Sequence, residues 1–241
     1  ASRVYGVSWG RKAAYLLLFP GMNATGFCAG PSEVGPPVPG ARYVANVLAG
    51  SVLLWGVARV VPPAHPIVEG WVGMVGCILL LHFGILQLIA LAWQSAGYDA
   101  PLLMNQPILS VSVAEFWSFR WNTAFRHLSH QLLFRPVARR IGPRAATLAT
   151  FAASGVLHDF VISFPAGKGF GLPTAYFLLQ AVGLLFERSG AGRRCLRHRL
   201  AARCFTIAIV ALPAPLLFHP PFVTGVFVPF MVAIGALPRE V

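Results

Sequence analysis

Two adjacent ionisable residues, His158 and Asp159, sit in the stretch FAASGVLHDF, inside a run otherwise suited to lipid. An ionisable group at membrane depth is costly to bury, so it faces a bundle interior or a wet cavity and marks a functional site by default. Thr147, Thr150, Ser154 and His158 recur at helical intervals, which draws a polar stripe down one side of the segment. The competing structural reading is helix-helix glue, in which Ser, Thr and His bond across a packed interface and Gly155 allows close approach. Neighbours on a helix are offset by about 100°, so His158 and Asp159 do not face each other as a relay. Asp159 pairs instead with an arginine or a backbone donor, or lines the edge of a cavity.

A second concentration of chemistry is FWSFRWNTAFRH, Phe116 to His127, which sets aromatics, two arginines, an asparagine and a histidine in the middle of an oily chain. The HLSH that follows at His127 and His130 has a ligand-like spacing, but zinc would need two further ligands and no Cys or carboxylate cluster supplies them. Seven histidines in all are too few for a membrane di-iron site, so these two are read as interfacial residues near head groups and no metal is expected. GxSxG, Walker and Gly-rich dinucleotide motifs are absent, and GKGFG at Gly167 to Gly171 reads as a connector.

The elements that must hold these residues are membrane helices. The chain has 241 residues, is 56% hydrophobic and 11% charged, and has a mean hydropathy of +0.68, where a soluble domain carries roughly 25% charged residues. Six segments approach the ~20 apolar residues that cross a bilayer: Tyr43 to Val61, Trp71 to Trp93, Ala145 to Pro165, Pro173 to Glu187, Ala201 to Phe218 and Phe222 to Leu237. The fourth is short. Pro31 to Gly40 is an irregular linker, and His219 to Pro221 is a tight turn, since proline removes backbone donors. The four scattered cysteines argue against a disulfide framework. The predicted fold is therefore all-α, a multi-pass transmembrane bundle forming a single domain over residues 1–241. The first residues lack an initiator Met, which suggests a longer gene product with spans upstream.

A formal charge of +12 comes mostly from two arginine clusters, one from Arg120 to Arg144 and one from Arg188 to Arg203. Both are predicted to be cytoplasmic. Spans three and four then go out and return between them, and counting along the chain puts Arg11, Lys12 and Arg239 on the same side. Nucleic acid is not an expected partner, because no basic patch is joined to a soluble reader fold. Pro107 to Arg140 is too polar to span. It carries Trp117, Trp121, Phe125, Leu128 and Leu132 on one helical stripe and Arg120, Thr123, His127 and Gln131 on another. It is predicted to be an amphipathic helix lying in the cytoplasmic interface, rings toward the acyl boundary.

Three stretches together resemble the wax synthase branch of the membrane-bound O-acyltransferases: YLLLFPGMNATGF at Tyr15 to Phe27, EFWSFRWN at Glu115 to Asn122, and SGVLHD at Ser154 to Asp159. They occur in that branch's order, where the patterns are close to W-P-G-M-D, D-F-W-G-R-R-W-N and S-G-x-x-H-E. The chain departs from these at Phe19, Asn23, Glu115, Ser118, Phe119 and Asp159. The resemblance implies acyl transfer from acyl-CoA, as co-substrate and with no cofactor, to a lipid hydroxyl such as that of a long-chain alcohol. His158 matches the family's catalytic histidine and Asn122 its second signature residue.

A thioester is already activated, so the implied chemistry needs a neutral imidazole to take the hydroxyl proton and a donor aimed at the developing oxyanion. Trp117, Arg120, Trp121 and Ser154 are the accompanying candidates for substrate contact. Arg135, Arg139 and Arg140 could hold the CoA phosphates through charge-assisted bonds, although basic loop residues ordinarily serve only to fix orientation. The competing function is a non-catalytic or transport-type membrane protein with His158 as packing or relay residue. No inverted repeat of the kind transporters carry is visible. A homo-oligomer is compatible with the sequence but nothing in it demands one.

Overall fold

The computed structural model describes residues 9, 10, 13, 15, 21, 27 and 39–238. Arg11, Lys12, Arg239, nearly all of the Pro31 to Gly40 linker and most of the Tyr15 to Phe27 element lie outside the described residues. Within them the chain is helical and holds no strand. Four helices are long and apolar enough to cross a membrane: α1 (Ala41–Val60), α2 (Pro66–Ser95), α5 (Pro143–Ala166) and α8 (Arg199–Leu217). The apolar helices α6 (Leu172–Glu187) and α9 (Pro220–Ala233) are shorter, so all six expected segments are present and two fall short of a full span. Between α2 and α5 lie α3 (113–120) and α4 (123–141), and α7 (Gly190–Cys195) precedes α8.

Two packed groups emerge. In the first, α1, α2 and α9 meet around Leu54, Ala58 and Met231. The crossing of α1 and α2 is backbone to backbone: a Cβ on Gly50 would stand 2.6 Å from the Gly76 carbonyl. Lipid supplies no hydrophobic drive between helices, so such small-residue contacts carry the association. In the second group, α5, α6 and α8 close around Phe151, Tyr176, Phe177 and Leu184. Along α5, Val156, Leu157, Phe160, Val161 and Phe164 are left on the outer surface, the arrangement of a helix that faces lipid.

The predicted single amphipathic helix from Pro107 to Arg140 is corrected by the structure. Backbone continuity fails at Asn122, which is left-handed at φ 41°, and residues 110–112 are not helical either. Nor does the aromatic stripe lie along one surface. Trp117 packs into the second group against Phe151 and Phe177, while Trp121 stacks on His82 and meets Phe83 in α2. The FWSFRW stretch is thus a seam between the two groups. Periodicity described the right residue types, but the helix it implied is broken by a residue that tolerates positive φ.

The expected turn at His219 to Pro221 is also refined. The chain reverses at Phe218 and His219, and Pro220 opens α9, the first helical position where a missing N–H costs nothing.

Candidate active site

His158 ends the α-helical part of α5, just before a π-helical turn over Asp159–Ser163. Its Nδ1 lies 2.7 Å from the Ser154 carbonyl one turn earlier. A carbonyl oxygen can only accept, so Nδ1 carries the hydrogen and, in the neutral ring, Nε2 holds the free lone pair. The imidazole is half-buried and packs on Phe177 of α6, with ring centroids 4.5 Å apart. Ser154 therefore contributes its carbonyl, and its hydroxyl makes no bond to the ring.

The polar stripe on α5 does only part of what the competing glue reading requires. Thr147 and Thr150 donate to the carbonyls of Pro143 and Ala146 on their own helix, the usual outlet for a mid-helix hydroxyl. Gly155 does act as expected, since a Cβ there would meet the Thr174 backbone at 2.6 Å. Of the partners open to Asp159, the structure takes backbone donors. Its carboxylate accepts from the Gly171 amide at 2.7 Å, from the Thr174 amide at 3.2 Å, and from the hydroxyls of Thr174 and Ser163. The α6 N-terminus is held by these bonds, which is what a carboxylate near unsatisfied N–H groups does. Asp159 turns away from His158, in accord with their helical offset.

Ser163 also contacts the Nε2 of His219 at 3.1 Å, and both residues are fully buried. The Phe222 amide donates to His219 Nδ1 at 3.2 Å, so Nε2 carries the hydrogen and donates to Ser163. This Ser, His and Asp set is a clamp joining α5, α6 and α9. It is not a nucleophile with its base, because the histidine has no lone pair directed at the serine.

Around the seam most polar groups hold elements together, while the buried Ser110 hydroxyl has no partner among the described residues. Both Glu187 oxygens accept from the start of α3, at 2.7 Å from the Val113 amide and 2.9 Å from that of Ala114. Ser112 caps the same helix through the Glu115 amide. Arg120 pairs with Glu115 at 2.7 Å and also donates to the carbonyls of Asn105 and Gln106. Partial burial pulls the Glu115 carboxyl up, but the Val111 amide and the Arg120 guanidinium outweigh it and hold the group below the usual glutamate range. Trp117 donates its indole N–H to Gln180 at 3.3 Å.

Asn122 is placed by two features. Its left-handed backbone suits an asparagine, and its side-chain oxygen accepts from the Phe125 amide at 3.2 Å, capping α4. That bond orients the side chain and leaves the NH₂ as a donor without a partner among the described residues. No hydrogen bond joins Asn122 to His158. They are linked through packed rings, His158 on Phe177, Phe177 on Trp117, Trp117 on Phe116, and Phe116 on Trp121.

A pocket of about 540 Å³ is lined by residues that include Leu103, Asn105, Phe119, Thr123, Arg126 and His127; neither Asn122 nor His158 lines it, although Thr123 directly follows Asn122. Arg126 lies over the Phe119 ring at 5.2 Å. His127 bonds Gln131 at 2.9 Å, and His130 stacks on Phe134. Arg135, Arg139 and Arg140 are exposed on α4 without bonded partners among the described residues.

Glu187, Gln180, Ser163 and His219 were not singled out from the sequence. The available signal was the rarity of such groups in apolar segments, which marked His158 equally well. What the sequence could not supply was the long-range partner of each.

Residues 100–179 match the sequence profile of the membrane bound O-acyl transferase family, a range that holds both Asn122 and His158. The chain is 30% identical over 161 residues to the probable long-chain-alcohol O-fatty-acyltransferase 7 of Arabidopsis thaliana, covering 59% of this chain and 44% of that protein. It is 25% identical over 146 residues to the long-chain-alcohol O-fatty-acyltransferase of Simmondsia chinensis, covering 55% of this chain and 41% of that protein. The matched stretches span less than half the length of either relative. The matched residues 100–179 include the seam and the histidine-bearing helix alike, so the likeness to the membrane bound O-acyl transferase family falls on the segment that holds both candidate residues.

Proposed function

We propose that the chain is a membrane O-acyltransferase that moves a fatty acyl group from acyl-CoA to a lipid hydroxyl, that of a long-chain alcohol foremost. The observation that carries this reading is the tautomer of His158. With Nδ1–H held by the Ser154 carbonyl, Nε2 is a fixed base within a helix of membrane-spanning length. Nε2 takes the hydroxyl proton as the alkoxide oxygen bonds to the thioester carbonyl carbon. The tetrahedral oxyanion then collapses, the C–S bond breaks, and Nε2–H returns the proton to the leaving thiolate. Ester and free thiol result, with no other reactant. Asn122 has its oxygen tied to the α4 cap, so its NH₂ is the group that would donate to the oxyanion or orient the substrate.

The pocket that begins at Thr123, the residue after Asn122, suits the thioester side of the reaction. Leu103 and Phe119 offer apolar wall, and Arg126 with Asn105 offers polar contacts at the same opening. The unpaired Arg135, Arg139 and Arg140 continue the positive surface along α4 and would meet the CoA phosphates from the cytoplasmic side. Arg120, by contrast, is a fastener of the seam, and Trp117 and Trp121 are its apolar walls.

The test is expression in cells lacking neutral-lipid synthesis, fed long-chain alcohols, with lipid extracts compared between the intact chain and His158→Ala at equal protein level. A new ester lost in the variant is the expected result. An ester that persists in His158→Ala removes the proposed base, and no ester from any alcohol supplied removes the reaction.

A further inference from the structure

Helix α2 holds a polar pair that the chemistry at His158 does not use. Gln87 is 1% exposed, and its side-chain nitrogen donates to the His82 carbonyl at 2.8 Å. Only the nitrogen can donate to a carbonyl, so the amide orientation is fixed and Oε1 is the free acceptor. That oxygen is buried with no partner among the described residues, and so is the Nδ1 of His82. The Gln87 side chain reaches back five residues to the backbone of His82, which brings its amide to the turn that carries the His82 ring. There α2 passes from the π-helical Ile78–Ile85 to α geometry, and such widened turns recur at functional sites. The His82 ring is stacked 6.5 Å from Trp121 at an interplanar angle of 14°, and Trp121 directly precedes Asn122.

A buried amide oxygen without a donor is destabilising, and native structures leave few of them. The missing group must give a hydrogen to Gln87 Oε1 and, with His82 in the tautomer that carries its hydrogen on Nδ1, can accept one there. A hydroxyl does both. An ester or thioester carbonyl can do only the second. On the same helix Leu81 and Ile85 are exposed, a surface compatible with an alkyl chain.

We propose that Gln87 and His82, walled by Trp121, form a buried binding site for the hydroxyl of a long-chain alcohol. This rests on the acyl-transfer reading and assigns its acceptor side. The site also separates acceptor from product: the ester has no O–H to offer Gln87 and is not retained.

The shared chemistry is a hydroxyl, and an ordered water could supply it too, so the experiment separates the two sources. The full chain in nanodiscs is loaded with radiolabelled hexadecanol, which is displaced with unlabelled hexadecanol or with hexadecyl methyl ether, which keeps the oxygen but not its hydrogen. Hexadecanol should displace the label about tenfold better than the ether, the worth of one good hydrogen bond. In Gln87→Leu that preference should vanish and KM for the alcohol should rise by a similar factor, with KM for acyl-CoA unchanged.

Equal displacement by alcohol and ether in the intact chain overturns the site, whatever the variants do. Unchanged alcohol binding and KM in Gln87→Leu also overturn it and leave the pair to water. His82→Phe, which keeps the stack on Trp121, serves as the second variant and should weaken alcohol binding without losing the fold. Selective binding without ester formation would uphold the site and remove the acyl-transfer reading instead. Ester formation without selectivity would do the reverse.

Discussion

His158 and Phe177 lie ring against ring, with centroids 4.5 Å apart and planes tilted by 43°. The contact joins two helices. With the Nδ1 bond to Ser154 it fixes the imidazole at two points, one along α5 and one across to α6. Phe177 also meets Trp117, Phe151 and Tyr176, so the position of the base is coupled to the seam. Phe177→Leu keeps an apolar side chain but removes the flat wall. The variant should fold, retain KM for the thioester and lose about tenfold or more in kcat, since small misplacement of a base is costly. Steady-state kinetics on the purified chain would show it, and a change confined to KM would contradict the coupling.

Asn122 performs two tasks that a single substitution can separate. Asn122→Asp keeps an oxygen for the Phe125 amide, and aspartate is as good a cap as asparagine, so thermal stability should change little. The NH₂ donor is lost and a negative charge replaces it where oxyanion charge would develop. Ester formation should fall by about 10²-fold or more, the scale seen when an oxyanion donor is removed. Asn122→Gly, which also tolerates positive φ, should lose activity to a similar degree with only a few tenths of a kcal/mol in stability. Activity that survives in both variants would confine Asn122 to capping.

The clamp at Asp159 predicts a different signature. Its carboxylate holds the Gly171 and Thr174 amides that begin α6, and Ser163 links it to His219. Asp159→Ala should cost about 1–2 kcal/mol of stability through the lost cap. A thermal melt in detergent would register it as an earlier transition. Asp159→Asn retains one acceptor oxygen and should fall between the two. Because Asp159 points away from His158, turnover per folded molecule should drop far less than in His158→Ala. Equal losses in the two variants would mean that the pair works together after all.

How much of this was legible in advance follows from the physical range of each signal. Hydropathy and length act locally, so all six apolar segments could be read, and the shortness of the fourth was visible in its sequence. The weight placed on His158 came from the cost of a polar group in lipid, and Asp159 was separated from it by helix geometry alone. The break at Trp121 and Asn122 was missed because helical periodicity continues on either side of it, and the extended and left-handed backbone there leaves no trace in residue spacing. The double attachment of α3 to Glu187 was beyond sequence reading, since its partners lie 74 and 73 residues apart. The same holds for His219, whose buried bond to Ser163 bridges 56 residues.

The last prediction concerns Glu115 and acid. Its carboxyl is held below the usual glutamate range by the Val111 amide and Arg120, against the pull of partial burial. A depressed folded pKa means that the charged form is favoured by folding. The stabilisation is therefore fully present above the unfolded value of about 4.3 and is lost as pH falls through the lower folded value. Glu115→Gln removes the charge at every pH and leaves Arg120, beside its bonds to the Asn105 and Gln106 carbonyls, a neutral amide oxygen in place of the carboxylate. Thermal melts of the intact chain and the variant should differ at pH 7 and converge as the pH is lowered below about 4. Since Arg120 anchors the loop leading into the seam, the difference at pH 7 should appear as faster proteolysis around residues 102–112 as well. Parallel melting curves for the two proteins across this range would show that the Glu115 and Arg120 pair contributes nothing beyond its screened surface charge.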